Sequence, residues 1–240
     1  MAELRVIRSG SSGNAYIIEC QNETLLIELG LPFHEIICNL FFRLKKVCGA
    51  IVTHKHTDHL NRDTSKRFFK YGIPVYSCDE AREIDEHIIT IKKGAKTRIR
   101  GFKIQPIPLR HSCECFGYII EHEEIGKMVF ATDCSEFLYR IKDVNHLLIE
   151  ANYSDDCLID NMCNNEEMRS RHEHHLELND AINALKANYS PSLMNVILLH
   201  LSNGNSNEDV FVKKVKNELG FDNVFVAKEK LVLSLQKEEF

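Results

Sequence analysis

No apolar run in the 240 residues approaches the ~18 that a membrane-spanning helix requires. No low-complexity linker divides the chain either. The 5 prolines and 11 glycines are dispersed, so one domain over residues 1–240 is expected. No leader precedes the first strand-like alternation, because Met1-Ala2-Glu3-Leu4-Arg5 runs straight into it, and a cytoplasmic protein is expected. Excess positive charge is also lacking. With 30 Lys and Arg against 35 Asp and Glu, the net charge is −5, and no global field favours nucleic acid. A phosphate-bearing partner must therefore be held by local cations or by metal. The 9 cysteines (20, 38, 48, 78, 113, 115, 134, 157 and 163) are odd in number and lack paired zinc-finger spacing. They are expected as buried or free thiols in a reducing compartment. Cys113-Glu114-Cys115 is the one place where two thiolates sit close enough in sequence to take a metal.

What remains is an ordinary soluble composition, 44% hydrophobic and 27% charged. Strand patterns run over 3–8, 15–20 and 24–29, and a helix is expected over 33–44 from the spacing of Ile36, Ile37, Leu40, Phe41 and Leu44. Short strands follow at 50–53, 74–77, 98–109, 116–120, 127–131 and 146–150, with brief helices between them. Near the end come a helix at 179–188, a buried strand at 196–199, a helix at 207–219, and strands near 223–227 and 230–235. Strands outnumber helices, and helices occur in both halves. The expected class is α/β, with two packed sheets and helices outside, a four-layer αββα sandwich.

The strongest chemical signal is Thr53-His54-Lys55-His56-Thr57-Asp58-His59-Leu60, directly after an apolar strand. In an extended loop alternate residues point the same way, so His54, His56 and Asp58 converge, and His59 turns to the other side. Imidazole with carboxylate suits Zn2+, Mn2+ or Fe2+. A polar surface loop rich in histidine is the blander account of the same residues. One loop cannot complete two metal shells, and three more candidates close apolar strands: His111 after Ile107-Pro108-Leu109-Arg110, Asp133 after Met128-Val129-Phe130-Ala131-Thr132, and His200 after Val196-Ile197-Leu198-Leu199. Any one of them alone is an ordinary strand end.

Thr-His-x-His-x-Asp-His, a later His, a Thr-Asp and a late strand ending in His together resemble the metallo-β-lactamase superfamily over essentially the whole chain. Gly10-Ser11-Ser12-Gly13-Asn14, Ile149-Glu150-Ala151-Asn152-Tyr153, and His200-Leu201-Ser202 followed by Asn205 resemble its YycJ/WalJ-like branch, DNA exonucleases related to RNase Z-type phosphodiesterases. The resemblance implies two divalent metal ions, Zn2+ before Mn2+ or Fe2+. His54, His56 and His111 would hold one, Asp58, His59 and His200 the other, with Asp133 bridging. A hydroxide between them would attack the phosphodiester, oriented by Asp58. His175 in Arg169-Ser170-Arg171-His172-Glu173-His174-His175 is the candidate general acid, with His174 and His172 behind it. Arg169, Arg171, Ser202 and Asn205 are candidate substrate contacts, and a solvated helix start is the alternative account of the Arg/His stretch. Glu28 stands where the superfamily has Asp, a carboxylate that braces the histidine loop without binding metal.

The chain between Asp133 and His175 is too short for the inserted domain of the large nucleases, and the chain after His200 too short for the helical domain of glyoxalase II-like thioesterases. Three functions are expected in order. The first is a phosphodiesterase or exonuclease acting on DNA. The second is hydrolysis of a small phosphodiester such as a cyclic nucleotide, or of a lactone or ester, which fits the acidic charge. The third is a non-catalytic metal-binding module.

Overall fold

The computed structural model describes residues 2–162 and 165–237, so Cys163 lies outside the described residues. The first half of the chain builds β1 (Glu3–Arg8), β2 (Ala15–Glu19), β3 (Thr24–Ile27), β4 (Val47–Ile51), β5 (Val75–Ser77) and β6 (Ile89–Thr90). These lie side by side in chain order, and β14 (Val232–Ser234) returns to pair with β1. A second seven-stranded sheet has the order β13-β12-β11-β10-β9-β8-β7. Its strands are β7 (Thr97–Ile99), β8 (Phe102–Leu109), β9 (Cys115–His122), β10 (Gly126–Ala131), β11 (His146–Glu150), β12 (Asn195–Leu199) and β13 (Val224–Val226).

The apolar runs explain the layering. In β11 and β12 every residue is buried. Leu148, Ile197 and Leu199 face the core shared with the first sheet, whereas Leu147, Ile149, Val196 and Leu198 join a second core. That second core also contains Leu178, Ala181, Ile182 and Leu185 of α5 (Leu178–Ala187) and Phe211 and Val215 of α6 (Glu208–Leu219). Strands covered on both faces read as continuous apolar segments, as these do. On the other side, α1 (Phe33–Asn39) and α2 (Arg62–Lys70) cover the first sheet, with Phe33 and Phe68 edge to face at 5.0 Å. The expected αββα layering is therefore present. Two further helices, α3 (Asp155–Asp160) and α4 (Asn165–His174), lie between β11 and α5.

Two elements differ from the sequence expectation. The helix foreseen over 33–44 stops at Asn39, because Phe41 and Phe42 turn left-handed at φ 49° and 58° and the chain leaves the helix. Both rings are exposed rather than packed on the core, and the Arg5 guanidinium lies 4.8 Å from the Phe41 ring centroid. The single strand foreseen over 98–109 is a hairpin, β7–β8, broken at Arg100 with φ 49°. Eight cysteines among the described residues are free thiols, five of them buried. No helix among the described residues is long and apolar enough to cross a membrane.

The parallel registers of β3 with β4, and of β10 with β11 and β12, bring the C-terminal ends of these strands to one end of the sandwich. The β1–β2 turn and the β8–β9 connection reach the same end. It is there that the histidine loop emerges from β4.

Candidate metal centre

The loop after β4 and the β8–β9 connection together present three imidazole nitrogens to one point. His56 Nδ1 lies 3.0 Å from His54 Nε2 and 3.2 Å from His111 Nε2. The tautomer of His111 follows from its other nitrogen. Nδ1–H donates to the His174 carbonyl at 3.1 Å, which leaves Nε2 with a lone pair directed at the cluster. Burial, the first cause in each case, depresses the proton affinity of all three rings, well below the ordinary value for His54 and to about 4 for His111. Three uncharged imidazoles with ring nitrogens crowded at one point are arranged for a cation.

The second half lies beside the first. His59 is fully buried, with Nε2 3.2 Å from Asp133 Oδ2 and 3.5 Å from Asp58 Oδ2. His200 Nε2 is 3.8 Å from Asp58 Oδ2 and has no hydrogen-bond partner among the described residues. Asp133 lies between the halves, Oδ2 being 3.9 Å from His54 Nε2, and Oδ1 3.6 Å from His200 Nδ1. Burial alone would lower the pKa of both His59 and His200. The carboxylates outweigh it, Asp133 and Glu28 for His59, and Asp133, Asp58 and Glu150 for His200, which is pushed up to about 10. For Asp58 burial opposes ionisation, but His200 and His59 hold it below the ordinary carboxylate range. So much buried negative charge demands a positive counterpart, and the partnerless His200 Nε2 aims at the same place. The donor set fits divalent metal, in two adjoining groups, His54, His56 and His111 with Cys113, and Asp58, His59, Asp133 and His200, and a third that overlaps the second, Asp133, Glu150, His175 and His200.

Three strand ends bear the site in an unusual backbone state. Glu28 after β3, Asp133 after β10 and His200 after β12 have φ of 64°, 48° and 51°. Side chains rarely adopt this left-handed conformation, and here it turns each one off its strand into the cluster. Glu28 Oε1 lies 3.4 Å from His59 Nδ1, and Oε2 accepts the Thr53 N–H at 3.3 Å. It thus touches both ends of the histidine loop.

Of the Arg/His stretch, His175 reaches the centre. Its Nδ1 lies 2.7 Å from Glu150 Oε1, and its ring stacks on His200 with centroids 5.4 Å apart. Glu150 is itself anchored by the Cys134 and Leu176 N–H groups at 3.0 and 3.1 Å. His172 turns away to Asp155 at 3.1 Å, while His174 contributes its carbonyl to His111. Arg171 donates to Asn152 Oδ1 at 2.8 Å, and exposed Arg169 pairs with Glu173 at 2.7 Å. Ser202 Oγ accepts the Asn205 N–H at 3.4 Å, and Asn205 accepts from Asn161 at 2.9 Å, so both lie in the loop beyond His200 that packs on α3.

Three contributors were not foreseen as site residues. Glu150 closes the apolar strand β11 just as Asp133 closes β10, and the same rule would have found it. Asn14 Nδ2 lies 3.0 Å from His59 Nε2 and donates to the Asp58 carbonyl at 3.2 Å. Asn152 donates to the His200 carbonyl at 2.7 Å. Both asparagines stand in motifs that carry the resemblance, but only their neighbours in space show what they do.

Residues 41–200 match the family described as the beta-lactamase superfamily domain. Exodeoxyribonuclease YycJ of Bacillus anthracis is 24% identical over 169 residues, 64% of this chain and 64% of that protein. Exodeoxyribonuclease WalJ of Streptococcus pneumoniae is 26% identical over 85 residues, covering 34% of this chain and 31% of the relative. The matched segments thus span less than two thirds of these relatives. Among solved structures, the metallo-beta-lactamase fold protein YhfI from Bacillus subtilis superposes with a TM-score of 0.75 at 18% identity, covering 97% of this chain and 98% of that one. The short form of human tRNase Z gives 0.69 at 14% identity, covering 97% and 99%. At such identities these likenesses establish the fold. The match over most of the chain establishes the family: this protein belongs to the beta-lactamase superfamily.

Proposed function

We propose that the chain hydrolyses phosphodiesters, DNA ends first among them, with two divalent cations. His54, His56 and His111 would hold one, and Asp58, His59 and His200 the other, with Asp133 shared. Zn2+ suits a set in which imidazole predominates, before Mn2+ or Fe2+. Bound there, such ions polarise phosphoryl oxygens and render water acidic enough to attack at neutral pH. Asp58, kept ionised, would orient that water. His175, held at Nδ1 by Glu150, presents its other nitrogen to protonate the leaving oxygen. Arg171 and Arg169 stand on the same helix to hold phosphate.

The observation that carries this reading is the Glu150–His175 pair beside the metal cluster. A metal-storing module has no use for an oriented imidazole 5.4 Å from a ligand ring, whereas an alkoxide leaving group needs a proton donor there. The names of the curated relatives, both exodeoxyribonucleases, support DNA as the substrate. The charge at the rim favours a second reading, a small phosphodiester, because Arg110 and Arg169 each have an acidic neighbour, Glu136 and Glu173.

Metal content and hydrolysis of a generic phosphodiester, compared between the wild type and His56→Ala, test the assignment. The substituted protein is expected to lose metal and turnover together. If it keeps both, the centre has been misplaced.

A further inference from the structure

At the opposite end of the sandwich, three tight turns meet. Strand β9 begins beside the histidine cluster at Cys115 and ends at His122, so its 8 residues carry the chain roughly 25 Å away. There the β2–β3 turn, the β7–β8 turn and the β9–β10 turn bring Cys20, Glu23, Gly101, His122 and Glu124 together. Cys20 belongs to the first sheet and His122 to the second.

The hydrogen bonds orient the imidazole. His122 Nε2–H donates to Glu23 Oε1 at 3.1 Å, and the Gly101 N–H secures the same carboxylate at 3.1 and 3.2 Å. A Cβ on Gly101 would come within 2.2 Å of Glu23 Oε1 and 2.9 Å of His122 Nε2, so a side chain there would push the carboxylate off the imidazole. The ring also packs on Phe102, centroids 4.5 Å apart. His122 Nδ1 is therefore the lone-pair nitrogen. It takes the Glu124 N–H at 3.2 Å and lies 3.4 Å from Cys20 Sγ. The Glu124 carboxylate is held at the same place by the Gln21 N–H at 3.1 Å. One ligand atom from each of Cys20, His122 and Glu124 lies within 4.8 Å of the others. Cys20 and His122 are buried, 1% and 7% exposed, so a bound ion would be largely shielded from solvent.

We propose that Cys20, His122 and Glu124 form a second, structural metal site for Zn2+ or a similar borderline-soft divalent ion, clamping the two sheets at the end remote from the histidine cluster. Sulfur, imidazole and carboxylate are the ligand types Zn2+ takes, and a carboxylate on the far nitrogen of a ligating histidine is the usual support. Binding displaces the thiol proton and redirects the Nδ1 lone pair from the Glu124 N–H to the ion. Burial, followed by Glu124 and Glu23, raises the thiol pKa, so affinity for the ion rises with pH. The site is independent of the phosphodiesterase reading, since no residue is shared.

Cobalt loading of the full-length protein tests it. Cys113, the thiol placed to share a metal ion with His54, His56 and His111, is first changed to Ser so that it contributes no signal. The Cys113→Ser protein is expected to show a near-ultraviolet thiolate-to-cobalt charge-transfer band. Adding Cys20→Ser should abolish that band and remove a metal equivalent, with far-ultraviolet circular dichroism unchanged. If Cys20→Ser fails to fold, zinc-edge absorption of zinc-loaded Cys113→Ser protein must still show sulfur in the coordination shell. No band and no sulfur, or a band that survives Cys20→Ser, would leave the cluster as a hydrogen-bonded clamp of turns and overturn the proposal. Loss of phosphodiester hydrolysis in His56→Ala with the cobalt band intact would separate the two sites.

Discussion

At the scale of the residue, the centre is organised by what stands behind each imidazole. The His174 carbonyl fixes His111, Glu28 faces His59, and Glu150 holds His175. As the proposed general acid, His175 would matter in proportion to how poor the leaving group is. For His175→Ala, turnover of a substrate that expels an alkoxide is expected to fall about 10²- to 10⁴-fold, the usual worth of a positioned acid. With p-nitrophenolate, which leaves without a proton, the loss should be within about tenfold, and metal content should not change. Equal losses on both substrates would argue that His175 only supports the structure around His200.

At the scale of the element, the site depends on close approach of backbones. Gly30 is packed against the Asp58 carbonyl and the Asn14 N–H, and a Cβ there would fall on that carbonyl. Gly30→Ala should therefore displace the histidine loop. Chelator competition is expected to show metal affinity reduced at least about tenfold, as for loss of a residue that orients ligands. Strand β11 carries a different constraint. Its His146 is fully buried, donates Nε2–H to the Ile125 and Leu235 carbonyls at 3.1 Å, and accepts from Asn195 at Nδ1. Burial holds its pKa at about 4, below the ordinary 6.5. Between these values the unfolded chain takes up a proton that the folded one refuses. Stability is therefore complete above pH 6.5 and declines as pH falls towards about 4, by about 3 kcal/mol from this group. Urea midpoints of metal-free protein across that window should show the decline, and a shallower one in His146→Gln.

What the sequence revealed at this scale follows from where information is local. His54, His56, Asp58 and His59 share one loop, so their nearness was legible, but alternation turned His59 to the other side, whereas its Nε2 lies 3.5 Å from Asp58 Oδ2. His111, Asp133 and His200 were legible because each closes an apolar run. Phe41 and Phe42 misled, since their spacing continues a helix that a left-handed turn ends. Asn14 and Asn152 stand in motifs that carry the resemblance, but their role could not be read, because what a buried amide does depends on what other strands bring to it. Glu150 was legible by the strand-end rule and was passed over.

At the scale of the whole molecule, the net charge of −5 opposes a polyanion, and binding to DNA would rest on a few arginines and the metal centre. Few phosphate contacts mean a shallow dependence on salt. A plot of log affinity against log salt for a DNA end is expected to have a slope of magnitude about 2 to 4, reflecting a few neutralised phosphates. A flat line would favour the small phosphodiester as substrate.

The left-handed strand ends at Glu28, Asp133 and His200 have a consequence for how this protein tolerates change. Each holds a side chain in a conformation that costs about 1 kcal/mol relative to glycine, and no fold requires side chains there. Asp133→Gly should melt at a higher temperature than Asp133→Ala, both lacking the carboxylate but only one relieved of the backbone strain. Stability and chemistry thus pull in opposite directions at these positions, and relatives that have given up catalysis would be free to drift towards glycine there.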